Sequence, residues 1–369
     1  MIAALRRLGC DAHPEITSLI DRVASLDIFA SDTYALLSND DYDNILAAAM
    51  CCGVFPVIKS NWDSYIAVDL DLSRAIESDA RWVSWDSMSM SRSYIGHSFI
   101  HSLDAIVQDL EVRAYYAQAR SPNEGQNDAA LQLVKQSRRL LRSVPAVFEG
   151  MPDREDRIDL QPSGLGYGAR VHMIGAIKYK LGYGIMGRSC LQCAEYYPSE
   201  RAYRTMLIDV VRRYPMYAAA RWMLGKVFAI VGDSSAACRE FAGALEGDWG
   251  TFGADGLGDA IVSWVDVEDI RQYLRVHNSC YRSIAAHDAI YQFVVCDSSD
   301  SEVCWRDAIL DMIRTGDHCR AFRMIIGGFS RHSWHYSGRY SEWCRRRLCE
   351  LYDNCGLCSR ARIIDEAVL

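Results

Sequence analysis

Four thiols lie close together near the end of this chain, at Cys344, Cys349, Cys355 and Cys358. Thiolates at that density are the donor set of a tetrahedral zinc site. Cys344 and Cys349, however, are five apart in a helical pattern, which aims them in different directions. The expectation is reduced thiols and no metal, with these four the set to examine for one. His97 and His101 have the i, i+4 spacing of paired helical ligands, yet no glutamate stands beside His97, so zinc-protease chemistry is not expected. Ser163–Gly168 reads SGLGYG, a G-x-G-x-G run with no strand feeding it, and so lacks the scaffold that aims backbone amides at a phosphate. There is no G-x-S-x-G elbow. The carboxylate groups Asp40/Asp41/Asp43, Asp69/Asp71 and Glu77/Asp79 each read as solvated surface. No residue set supports an enzyme, and no cofactor is expected.

What remains is recognition. Trp62, Asp63, Tyr65, Asp69, Asp71, Trp85 and Asp86 interleave aromatic rings with carboxylates. Rings supply contact area at low entropic cost, and carboxylates steer basic partners. These seven are the candidate partner-binding residues. Strand alternation would bury some of the rings as core.

The elements that must position them centre on Gly53–Asp71. An apolar run, Val54–Ile58, precedes a polar corner at 59–63, and an alternating run follows to Leu70, the pattern of a β-hairpin with one buried face. Arg81–Asp86 reads as a third strand, with Trp82 on one face and Val83 and Trp85 on the other, and 87–93 as a loop. Helices are expected at 14–27, opened by Pro14, and at 38–50, with Ser38 or Asn39 as cap and acids in the first turn. A further helix opens at Ser98. Helices and strands in separate blocks indicate an α+β domain over 1–118. Residues 119–169 form a linker with a bridging helix, and 170–369 an all-α domain.

Leu224, Gly225, Phe228, Gly232-Asp233, Ala237, Phe241 and Ala244 hold the large and small positions of a helical hairpin resembling a tetratricopeptide (TPR) pair. Met312, Gly316-Asp317, Ala321 and Ile325 echo it. Trp249–Val262 interrupts the array.

The N-terminal elements resemble the SUKH superfamily, which contains many bacterial toxin-immunity proteins and a fungal cell-wall synthesis regulator. The likeness rests on Asp40-Asp41-Tyr42, on Phe55-Pro56-Val57 running into a polar corner, on Asp63-Ser64-Tyr65 to Asp69, and on Ser98-Phe99 to Leu103. It implies an immunity protein whose acidic face plugs a cognate toxin, often a basic nuclease. A TPR-type scaffold or adaptor is the alternative, and an enzyme of unknown chemistry the second.

The chain has 369 residues and a net charge of −8, which repels phosphate backbones. Its arginine clusters, Arg138-Arg139-Arg142 and Arg345–Arg347, lie in helical patterns with no aromatic platform, so nucleic acid is not the expected partner. The N-terminal apolar stretch is short for a signal peptide. The longest nearly apolar run, 45–58, falls short of the roughly 20 residues that span a bilayer. The expected compartment is the cytoplasm, and the expected partner a protein.

Overall fold

The computed structural model describes residues 2–9, 11–12, 34–60, 64–72, 75–76, 80–87 and 92–96. It also describes 204–251 and 262–366, both with short gaps, and a few isolated positions. Of the helix expected at 14–27, only Pro14, Ser18 and Asp21 are described, and each is helical. The helix from Ser98, the linker, His97, His101 and the 163–168 run lie outside the described residues. By contact density the chain divides into two compact units. The first comprises 1–44, 55–85 and 94–197, and the second 45–54, 86–93 and 198–369.

Helix α1 (Ile2–Arg7) opens the chain. Strands β1 (Asp11–Ala12), β2 (Tyr34–Leu36), β3 (Val54–Ser60), β4 (Ser64–Asp69), β5 (Ala75–Ile76), β6 (Trp82–Asp86) and β7 (Arg92–Gly96) follow, with helix α2 (Asn39–Cys51) between β2 and β3. Five strands make one sheet in the order β2-β3-β4-β6-β7, while β1 pairs with β5 in parallel. β2 runs antiparallel to β3, with Tyr34 opposite Ser60 and Leu36 opposite Ile58. The three-residue connection makes β3 and β4 the expected hairpin, antiparallel because a parallel crossover needs a dozen residues or more.

The hairpin differs from expectation in one respect. Tyr65, Ile66, Ala67, Val68 and Leu70 are all buried, so both faces of β4 are covered. β4 is the middle strand of five, and a sheet covered on both sides buries successive residues whatever their alternation. Trp82, Val83 and Trp85 are buried together on β6 for the same reason. The expected loop over 87–93 is also shorter, because β7 starts at Arg92. Helix α2 docks through Tyr42, whose ring stacks on Phe55 at 5.4 Å and whose hydroxyl donates to Pro56 O at 3.0 Å.

The C-terminal region is built of paired helices, as expected. α3 (Ala218–Ile230) and α4 (Ser234–Glu246) form the first described hairpin. α5 (Val262–Val276), α6 (Asn278–Ala285) and α7 (Ala289–Val295) follow. α8 (Ser301–Thr315) then pairs with α9 (His318–His332), and α10 (Arg339–Asn354) with α11 (Cys358–Glu366). Three hairpins share one turn. Gly232, Gly316 and Gly356 take φ values of 82°, 84° and 71°, the left-handed region that favours glycine. At each, the glycine N–H donates to the carbonyl three residues back and the next N–H to the carbonyl five back, the Schellman pattern that satisfies a helix end. Helix approach inside the first hairpin also requires a glycine, since a Cβ on Gly225 would stand 2.6 Å from the Phe241 ring.

Of the break expected over Trp249–Val262, residues 252–261 lie outside the described residues, and Trp249–Thr251 form a short 3₁₀ turn, buried throughout. Asp248 N–H donates to Met216 O at 2.7 Å, Thr251 Oγ1 to Asp248 O at 2.7 Å, and Trp249 Nε1 to Leu245 O at 2.9 Å. Arg92, also in the second unit, puts Nε 2.6 Å from Asp248 Oδ2, with both side chains fully buried, and donates from Nη1 to Cys52 O at 2.8 Å. Arg271 plays a comparable part at the end of α7. Its Nε donates to Phe293 O at 2.9 Å and its Nη2 to Cys296 O at 3.0 Å, and the guanidinium lies 4.6 Å from the Phe293 ring centre. A cation there complements the negative end of a helix. Among the described residues no helix is long and apolar enough to cross a membrane.

Candidate functional site

Four of the seven expected contact residues are interior. Tyr65 packs against Trp85 with ring centres 5.2 Å apart, and both are buried. Asp69 is paired with Arg81 at 3.0 Å, its side chain fully covered, and Arg81 in turn lies 5.5 Å from the Tyr94 ring centre. Asp71 is buried with a left-handed φ of 43°. The expectation that these two aspartates and the tyrosine face solvent is therefore corrected: their strand is central, and the Asp69 carboxylate is neutralised within the fold. Asp86 is partly exposed at the end of β6. Trp62 and Asp63 lie outside the described residues.

Among the described N-terminal residues the exposed carboxylates are Asp21, at an isolated helical position, and Asp40 and Asp43 on the first turns of α2. Asp40 and Asp43 are exposed, with Asn39 and Asn44 beside them. Arg7 forms an ion pair with Asp43, both half-exposed. Asp41, between them, is committed to holding the helix. Its N–H donates to Ser38 Oγ at 3.2 Å, while Ser38 N–H and Oγ donate back to its Oδ2 at 2.9 and 2.7 Å. This is a capping box with aspartate in the third helical position. Those hydrogen bonds from Ser38, and then Lys59 at 3.7 Å, hold the Asp41 carboxyl below its ordinary value of 3.8.

A depressed carboxylate stabilises the fold above its ordinary pKa, and that contribution is lost as pH falls through the lowered value. Ser38→Ala is accordingly expected to cost about 1 kcal/mol at neutral pH. The difference from wild type should shrink on acidification. Urea titrations across the acid range measure this, and a loss that stays constant would show that the box is not its source.

The four C-terminal cysteines do not gather. Cys344 is buried on α10, Cys349 Sγ donates to Ala361 O at 3.5 Å, Cys355 is partly exposed and Cys358 exposed. No three metal-binding side chains converge among the described residues. Elsewhere burial keeps thiols protonated. Cys238, beside Cys280, is pushed up to about 12, and Cys296, beside Cys304, to about 11. Cys51 is raised well above the ordinary thiol value by complete burial. Protonated thiols are poor nucleophiles, so these positions suit packing rather than catalysis.

Arg345–Arg347 lie on α10, where Arg346 pairs with Glu342 and Arg347 with Glu350. That leaves part of the cluster's charge balanced within its own helix. Sequence reading placed Asp40 and Asp43 on solvated surface, as they are, but did not single them out, because acids in a first turn are already accounted for by the helix dipole. No family model, curated protein or solved structure matches the chain.

Proposed function

We propose that this protein acts by protein–protein contact, binding a basic partner through the start of α2 and blocking it, in the manner of a toxin-immunity protein. The observation that carries this reading is the placement of Asp40 and Asp43. They project from a helix start held by the Ser38–Asp41 box, whereas the hairpin carboxylates Asp69 and Asp71 are buried. A pre-ordered anionic face accelerates encounter with a cationic one and costs little ordering entropy on binding. The resemblance of Asp40-Asp41-Tyr42 and the strands after it to immunity proteins supports the same reading. Blocking on this view is steric and electrostatic, with no bond made or broken.

The test is capture from the native host by the full chain and by an Asp40→Lys/Asp43→Lys variant, followed by association rates at rising salt. Wild type is expected to retain a basic protein whose association slows with salt, and the variant to bind it at least about tenfold more weakly. Equal binding by the variant, or association indifferent to salt, would remove the basis for the proposal.

A further inference from the structure

The helical pairs bring Cys296 and Cys304 into contact. Cys296 follows the last turn of α7 and Cys304 lies in the first turns of α8, helices that pack against each other. The two side chains are hydrogen-bonded to one another, and both are partly exposed. Cys238 and Cys280 make a second such contact, but Cys238 is fully buried, which closes that pair to a solute. Cys355 lies 3.7 Å from an imidazole nitrogen, His318 Nδ1, a contact that supplies no second sulfur.

The Cys296 sulfur is held in place. Its thiol donates to Phe293 O at 3.2 Å and Arg271 Nη2 donates to the sulfur at 3.2 Å, while the same nitrogen donates to Cys296 O at 3.0 Å. Burial, and then the hydrogen bond with Cys304, push the Cys296 thiol up to about 11, so at neutral pH it is protonated and slow to react. The charges of Arg271 and Arg275 act the other way and stabilise the thiolate once it forms. Sulfurs already in contact need little movement to reach the ~2.0 Å of a disulfide bond.

We propose that Cys296 and Cys304 are a redox-responsive dithiol that closes to a disulfide by exchange with a small-molecule disulfide of the glutathione class. The Cys304 thiolate attacks one sulfur of the oxidant, whose S–S bond breaks and releases one glutathione thiolate. The Cys296 thiolate then attacks the Cys304 sulfur of the mixed disulfide and releases the second. The protein pair loses two electrons, the oxidant gains them, and two protons pass from the protein thiols to the leaving thiolates. Cys304 reacts first because the Cys296 sulfur is engaged by Phe293 O and the Arg271 guanidinium. The bond ties the end of α7 to the start of α8, and reduction undoes it.

The experiment incubates the reduced full chain in native buffer with glutathione at falling ratios of reduced to oxidised form. Remaining thiols are blocked with an alkylating agent, and tryptic peptides are weighed by mass spectrometry. The peptide Ser283–Arg306 carries Cys296 and Cys304 and no other cysteine. At oxidising ratios it is expected without alkyl groups and about 2 Da lighter than its dithiol form, the loss of two hydrogens. Returning the protein to reduced glutathione should restore both alkylation sites. Cys296→Ser, shown to be folded by its melting curve, should stop at a glutathione adduct on Cys304. Wild-type peptide carrying two alkyl groups at every ratio, or Cys304 joined to other peptides as often as to Cys296, would overturn the assignment. So would a folded Cys296→Ser variant with no adduct on Cys304.

Discussion

Arg92→Leu is expected to lower the unfolding free energy by about 3–5 kcal/mol, the range for breaking a buried ion pair from one side. The guanidinium and the Asp248 carboxylate are both fully buried, with Nε 2.6 Å from Oδ2. Removing the cation leaves a buried carboxylate that keeps the N–H of Gly250, at 3.0 Å, but has lost its counter-charge. It also removes the Nη1 donor from Cys52 O. Asp248→Leu strands the guanidinium in the same way, with the further loss of the Gly250 acceptor. The double variant should cost clearly less than the two singles summed, because neither charge is then left without its counterpart. Urea unfolding of the four proteins closes the cycle. A loss below about 1 kcal/mol for Arg92→Leu, or strict additivity, would mean the pair is not buried as described. The same pair bears on fragments. A fragment beginning after residue 93 lacks Arg92 and 45–54, both part of the second compact unit, and should be far less stable than the full chain.

Gly327→Ala is expected to cost about 3 kcal/mol, at the upper end of the usual range for overpacking. The sign reverses the usual one for a helix. In an exposed helix interior the same change is favourable by roughly 1 kcal/mol, because alanine is the better helix former. In α9 an added Cβ would lie 2.1 Å from Trp249 Cβ and 3.2 Å from its carbonyl carbon. Carbon atoms sit comfortably at about 3.5–4.0 Å. Trp249 cannot easily yield, since its indole donates to Leu245 O and its neighbours Asp248 and Thr251 are hydrogen-bonded on either side. Gly316→Ala is the control. Nothing lies within 4 Å of a Cβ there, so the cost is only that of a left-handed φ, about 1 kcal/mol. A urea midpoint for Gly327→Ala at or above wild type would contradict the packing of α9 on the 3₁₀ turn.

Much of the fold was legible because the signals are local. Ser38 and Asp41 are three apart and could be read as a helix start from their types alone. Gly232-Asp233 and Gly316-Asp317 announce hairpin turns because few residues other than glycine take a left-handed φ. The strands at 54–58 and 64–70 were visible in their β-branched and alternating residues. β7 was not, since RSYIG is short, begins with a charge and follows a serine- and methionine-rich run. Arg92 looked like a solvated loop residue and is instead interior.

The sequence by itself determined the helix start at Ser38, the glycine turns at 232 and 316, and that an α+β block precedes a run of helical pairs. Each of these depends on interactions spanning a few residues. Tertiary structure alone decided which carboxylates meet solvent. Asp69 and Asp43 read alike in sequence, yet one is enclosed beside Arg81 on a central strand and the other stands exposed on α2. It alone decided, too, that Arg92 meets Asp248 and that His318 meets Cys355. Burial and long-range pairing depend on what the rest of the chain places opposite a residue, and no local pattern carries that information.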